Sequence, residues 1–379
     1  MRALGLMSGT SLDGVDAALV DVRPTASGYA VGLIAATTVP FDDDLRSRLT
    51  AALPPHAASA AATAKLHADL GVAFAAAAQH VARPGDVDFV ASHGLTLYHD
   101  GEHAITLQIG RPYEVRDALA ATVVWDFRSA DCAQGGQGAP LVPYVDTLLF
   151  ASPAEDRVAV NVGGICNVTI LPRAGDVVGF DTGPGVMLLD ALVRERTGEP
   201  FDREGRYSSA GTADEALLER LLDDPYFKEE PPKSTGRERF GAHLLEVHRA
   251  AFERLTLEDA CATLLAFTVK PLAGAIRAHA PAVSRVIVSG GGVHNSGILT
   301  LLRRLLPQAA AVDSSAALGV DPDAKEALAF AILGYEALRG RTANLPRVTG
   351  ARRPVVLGSI VPHDLAQLLN KIEIEIRDA

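Results

Sequence analysis

The feature that most restricts this chain is a pattern that occurs twice. Residues 2–8 (RALGLMS) and 15–22 (VDAALVDV) are alternating apolar runs joined by Gly9-Thr10-Ser11-Leu12-Asp13-Gly14. Period-two alternation on either side of a glycine-rich turn predicts strand, turn, strand. A third strand is expected over 30–38. Helices follow at 42–53 and 59–83, then short strands at 87–92, 104–109 and 121–125 with a helix near 111–119. The pattern restarts at 157–163, turns at Gly163-Gly164, continues at 165–171 and adds a third strand at 176–181. Helices are expected at 185–196, 213–222, 242–254 and 257–279. A strand at 284–289 runs into Gly290-Gly291-Gly292, followed by helices near 295–306 and 322–338 with a short strand between them. The order β-β-β-α-β-α-β-α, read twice in 379 residues, predicts two α/β domains with mixed sheets facing each other across a cleft. We place them at 1–145 and 146–379, with the last helix able to return to the first.

Composition narrows the function. The net charge is −11, whereas a nucleic-acid binder needs a basic face. Only six residues are Lys, so the positive charge is nearly all Arg. The three cysteines, Cys132, Cys166 and Cys261, are far apart, which excludes a disulfide framework and a cysteine zinc site and fits a reducing compartment. The start has no long apolar region behind a basic one, and no run approaches the roughly 18 apolar residues of a membrane helix. The expectation is a cytoplasmic protein without membrane attachment. Residues 199–211 and 223–240 are long, polar, Gly/Pro-rich segments, which usually carry function.

Familiar nucleotide signatures are missing: there is no Gly-Lys pair for a Walker loop and no G-x-G-x-x-G after a strand. Gly9 to Asp13 resembles a nucleophile elbow but lacks the closing glycine and enters a strand. What remains is three glycine turns, each after a strand, where backbone N–H groups can converge on an anion. Asp13, Asp16 and Asp181 could hold a divalent cation. These are the parts that phosphoryl transfer needs. Asp181, in Phe180 to Gly185, is either a helix N-cap or a general base. Arg128 either grips a carboxylate or phosphate or pairs with an internal Asp. His93, His99 and His103 match no common metal spacing, and His93 is the better candidate for touching a substrate.

Taken together, several segments resemble the anhydro-N-acetylmuramic acid kinase family of the sugar kinase, Hsp70 and actin superfamily. They are Gly5 to Asp16, Ser92-His93-Gly94, Asp126 to Asp131, Gly135 to Pro143, Asn161 to Thr169, Phe180 to Gly185, Phe201-Asp202, Pro232 to Glu238, Ser289 to Asn295 and Asp323 to Phe330. The resemblance implies two RNase H-like domains, of actin and hexokinase type, flanking a central nucleotide cleft. It also implies conversion of 1,6-anhydro-N-acetylmuramic acid, ATP and water to N-acetylmuramic acid 6-phosphate and ADP during cell-wall recycling.

Carried over by position, Gly9, Thr10, Ser11, Leu12, Asp13, Gly14, Val15 and Asp16 would cradle the ATP phosphates. Gly163 and Gly164 would form the second phosphate loop, and Gly290, Gly291 and Gly292 would lie against the adenosine. Asp181 would be the general base. His93, Arg128, Asp131 and Glu326 are the candidates for positioning the sugar. Mg²⁺ would accompany ATP, with Asp13 and Asp16 as candidate ligands, and a homodimer is a family expectation. Two residues depart from the pattern: Leu95 stands where Gln is expected and Val186 where Asn is expected. Two other functions stay open at this point: a different sugar kinase of the superfamily, if these departures mark a changed pocket, and an actin- or Hsp70-like ATPase module.

Overall fold

The computed structural model describes every residue except 10, 11, 26, 27, 55 and 379. The chain divides into two compact units, 1–149 with 324–379, and 150–323.

The first unit is built on β1 (Arg2–Ser8), β2 (Gly14–Thr25) and β3 (Gly28–Pro40), a meander of antiparallel neighbours. β4 (Phe89–Asp100) joins β1 in parallel, and β6 (Thr122–Trp125) joins β4 in parallel. β5 (Ile105–Ile109) folds back on β4 as a hairpin. The strand order is therefore 3-2-1-4-6, with β12 (Ser359–Val361) added antiparallel beyond β6.

Alternation explains why both faces of this sheet are buried. Leu4, Leu6, Ala17, Leu19 and Val90 point to one side, under the helices Asp43–Ala52 and Ala60–Val81. Ala3, Ala18, Val20, Phe89 and Ala91 point to the other, under the helix Lys325–Leu338. Small residues let that helix approach closely. A Cβ on Gly5 would lie 1.8 Å from the Ala327 carbonyl oxygen, and one on Gly334 would lie 2.6 Å from the Ala91 Cβ.

The second unit repeats the arrangement. β7 (Arg157–Val162), β8 (Ile165–Leu171) and β9 (Val178–Pro184) form the meander; β10 (Arg285–Ser289) and β11 (Ala311–Ser314) extend it in parallel from β7. The order 9-8-7-10-11 matches that of the first sheet. This shared meander-plus-parallel order is the RNase H-like topology expected from the sequence. The helix Leu257–His279 is apolar nearly all round because it packs between two cores. It is the one helix, among the described residues, long and apolar enough to cross a membrane, and it is mostly buried within the protein.

Three local expectations differ from the structure. The division at 145/146 falls inside the helix Val142–Phe150, and the chain from Ala324 onward packs in the first unit. The reason is that Lys325–Leu338 covers the open face of the first sheet, and the C-terminal helix Leu365–Asp378 adds Leu368 and Ile372 to the same core. The single helix expected at 242–254 is two short helices, His243–Val247 and Arg249–Phe252, preceded by a further turn at Arg237–Phe240.

Candidate active site

In the first unit the β1–β2 turn is shaped by backbone demands. Leu12 adopts a left-handed conformation (φ 59°) and buries its side chain in the core, anchoring the turn. The Ser8 hydroxyl donates to the Gly14 carbonyl at 2.7 Å. Gly14 has no room for a side chain, because a Cβ would lie 2.2 Å from the Val39 carbonyl oxygen. Val15 is buried and Asp13 is exposed, while Asp16 accepts from the Thr38 hydroxyl at 2.6 Å. Thr10 and Ser11 lie outside the described residues.

Glu326, on the first turn of the helix Lys325–Leu338, is Asp16's electrostatic neighbour. Loss of solvent, and then the Asp16 charge, raise its carboxyl pKa, while Lys325 and Arg128 oppose this.

Arg128 is fixed from two sides. Its Nε–H donates to His93 Nε2 at 3.0 Å, and Nη1 donates to the Gly138 carbonyl at 2.8 Å. His93 is buried, and its Nδ1 meets the Gly94 carbonyl at 2.9 Å. With Nε2 accepting, Nδ1 carries the proton and the ring is neutral. Burial, reinforced by the Arg128 charge, holds its pKa well below the ordinary value. His93 is therefore an orienting residue for Arg128.

Asp131 differs from the expectation of substrate contact. It is fully buried; Oδ1 accepts from Asn344 Nδ2 at 2.6 Å and Thr349 Oγ1 at 2.7 Å, and Oδ2 accepts from the Gly138 N–H at 2.8 Å. It ties residues 135–138 and 344–349 to the turn after Arg128, and a Cβ on Gly136 would collide with it at 2.2 Å. We assign it a scaffold role.

In the second unit Asp181 sits within β9, opposite Asn167. The helix that follows starts at Met187, and its N-cap is Val186, so the N-cap alternative for Asp181 does not hold. Three bonds clamp Asp181: its N–H donates to the Lys233 carbonyl at 3.2 Å, its carbonyl accepts from Tyr226 Oη at 2.7 Å, and Oδ2 accepts from the Thr235 N–H at 3.0 Å. Lys233 Nζ closes the loop on the Tyr226 carbonyl at 3.0 Å. The polar segment 223–240 thus fixes the Asp181 carboxylate, a specific role that its composition alone did not reveal.

Gly163 and Gly164 form the β7–β8 turn, and their carbonyls accept from Val186 and Gly185 N–H at 2.9 Å each. Gly290 (φ 82°) and Gly292 press on the end of β7; Cβ atoms there would meet Asn161 Oδ1 at 2.7 Å and Val162 Cγ1 at 2.3 Å. Gly291 faces open space. The other polar segment, 199–211, is held by buried Asp202, which accepts from Tyr207 and Ser208 N–H, the Ser208 hydroxyl and Asn295 Nδ2. Among the described residues no group of three His, Cys, Asp or Glu is arranged to hold a metal by itself.

The two departures are also placed. Leu95 packs in the core beneath the helices of the first unit, so its apolar side chain serves that core. Val186 donates its N–H to Gly163 and packs against the second core.

Residues 1–363 match the family model "Anhydro-N-acetylmuramic acid kinase". Proteins named anhydro-N-acetylmuramic acid kinase are similar over nearly their whole length. That of Xanthomonas oryzae pv. oryzae is 45% identical over 95% of this chain and 97% of its own. That of Streptomyces coelicolor is 43% identical over 96% and 94%. That of Synechococcus elongatus is 41% identical over 95% and 99%. With the two repeated sheets and the matching segments, these likenesses make the chain a member of the anhydro-N-acetylmuramic acid kinase family.

Proposed function

We propose that the chain converts 1,6-anhydro-N-acetylmuramic acid, ATP and water to N-acetylmuramic acid 6-phosphate and ADP, in the recycling of cell-wall sugars. Family membership supports the reaction, and the triple clamp on Asp181 supports the role of its base. A carboxylate held by a backbone N–H is fixed in its orientation. Asp181 takes a proton from water as the water attacks the anomeric carbon; the C1–O6 bond breaks, and O6 attacks the γ-phosphorus to release ADP. General-base assistance of this kind is worth roughly 10²–10⁴-fold.

The β1–β2 turn (residues 9–16) is assigned to the phosphates, with Gly163 and Gly164 as the second phosphate loop and Gly290 to Gly292 at the adenosine. At Gly14, Gly290 and Gly292 the missing side chain lets the neighbouring chain pack closely and so shapes these turns, while Gly291 faces open space. Asp13 and Asp16 would hold Mg²⁺ directly or through water, where the ion would screen phosphate charge. Arg128, kept in place by neutral His93, would grip the carboxylate of the sugar, and Glu326 would position its hydroxyls. The proposal includes a cytoplasmic location and a homodimer, which size-exclusion chromatography with light scattering tests.

The direct test is a panel of sugars with ATP, read by mass spectrometry. Phosphorylation of the anhydro sugar, with loss of its bridge, supports the reading. Phosphorylation only of sugars with a free 6-hydroxyl overturns it.

A further inference from the structure

The β4–β5 hairpin carries a polar network that the mechanism above does not use. Gln108 Nε2 lies 3.1 Å from Thr96 Oγ1 and 2.8 Å from Thr106 Oγ1. Thr106 Oγ1 also meets His99 Nδ1 at 3.1 Å. The residues share one face of the hairpin: Thr96 pairs with Gln108 and His99 with Thr106. Among the described residues, two buried atoms of this network, His99 Nε2 and Gln108 Oε1, have no hydrogen-bond partner. Gln108 is only 6% exposed. Buried polar atoms are nearly always partnered, so two orphans joined through one threonine ask for a common explanation.

Counting protons defines what would satisfy them. Suppose first that the Gln108 amide donates to both threonines and the Thr106 hydroxyl donates to His99 Nδ1. His99 Nε2 then carries a proton, and Gln108 offers a carbonyl. With the amide turned over, both threonines donate to its oxygen, His99 Nδ1–H donates to Thr106, and Nε2 becomes an acceptor beside a free NH₂. In both arrangements one side chain is left donating and the other accepting; if Thr106 instead accepts from both the Gln108 amide and His99 Nδ1–H, both are left as neutral acceptors. Burial, and then the Arg128 charge, bring the His99 pKa down to about 4, so the pair carries no charge with which to attract an anion. β5 lies against the turn Ser129–Cys132 that follows Arg128, so the network neighbours the residue assigned to the sugar's carboxylate.

We infer that His99 and Gln108 together read one neutral hydrogen-bonding group of the sugar, its acetamido group or its ring hydroxyl at C4. This rests on the kinase reading above and adds the residues that select the sugar.

The test uses the intact enzyme with Gln108→Met and His99→Phe, and three sugars: the anhydro sugar, its N-deacetylated analogue and its 4-deoxy analogue. With the unmodified enzyme, the analogue lacking the group that is read should lose roughly 10- to 100-fold in kcat/KM. In either variant the parent sugar should fall by a similar factor, and the penalty for that one analogue should vanish. The KM for ATP should stay within about twofold. Which analogue loses its penalty separates acetamido from hydroxyl recognition. A fall by one common factor for all three sugars, or no fall, overturns the inference. Should the methionine variant not fold, His99→Phe carries the same readout by itself. If the unmodified enzyme does not phosphorylate the anhydro sugar at all, it is the kinase reading that has failed.

Discussion

Lys325 and Asp146 offer a quantitative test of why the chain after Ala324 belongs with the N-terminal residues. Lys325 Nζ lies 2.7 Å from Asp146 Oδ1, with 1% and 3% of the two side chains exposed. Lys325 opens the helix that covers the first sheet, and Asp146 lies on Val142–Phe150. Attraction in such a site roughly offsets the cost of stripping water from two ions, whereas removing one partner leaves a buried charge uncompensated. Lys325→Met should therefore cost about 3–5 kcal/mol, and Asp146→Leu a similar amount. At about 2–4 °C per kcal/mol for a unit of roughly 200 residues, the apparent Tm of the first unit should fall by about 6–20 °C. The double variant should recover most of this loss, since two apolar side chains of similar volume remove both charges together. Calorimetry and urea denaturation of all four proteins complete the cycle. Single variants within about 1 kcal/mol of the parent, or losses that simply add, would refute the idea that the two charges depend on each other.

Other consequences follow from single observations. Asp181→Asn keeps the shape of the clamped side chain but cannot take a proton; kcat should fall roughly 10²- to 10⁴-fold with the KM for ATP little changed. Gly5→Ala should destabilise by about 1–3 kcal/mol or more, because its Cβ meets a helix carbonyl; Gly32→Ala, with nothing within 4 Å, serves as the neutral control in the same melt. His93 and His99 have depressed pKa values in the folded chain. The unfolded chain thus binds protons first, and stability should drop as the pH falls below about 6.5. For His99 that loss runs down to about pH 4, and a pH series of melts should flatten over this window in His99→Phe. Glu326 has the opposite sign: its raised carboxyl pKa costs stability as pH rises past the ordinary value, so Glu326→Gln should be the more stable protein at pH 7.

The strand–turn–strand repeats could be read from sequence because they are local: alternation and glycine sit within a few residues of each other. The two sheets accordingly run where the pattern put them, with β4 extended to Asp100 beyond the expected stop at 92. Residues whose roles depend on distant partners were harder to read. Asp181 meets Thr235 across 54 positions and Asp131 meets Thr349 across 218. Nothing near Asp131 distinguishes a carboxylate that grips a sugar from one that ties two loops together. His93 was visible as a candidate, but its neutral state and its hold on Arg128 needed geometry. The return of the C-terminal segment rests on the fit of Ala327 against Gly5, a contact between small residues that leaves no periodic mark.

The central claim is that opening of the bridge by water and phosphorylation of O6 occur in one enzyme. The most direct measurement is mass spectrometry of product formed in ¹⁸O-labelled water and sampled early, before the sugar exchanges with solvent. The expected product carries one ¹⁸O at the anomeric carbon and none in its phosphate group. A phosphorylated product without label at that carbon, or with its anhydro bridge intact, would contradict it.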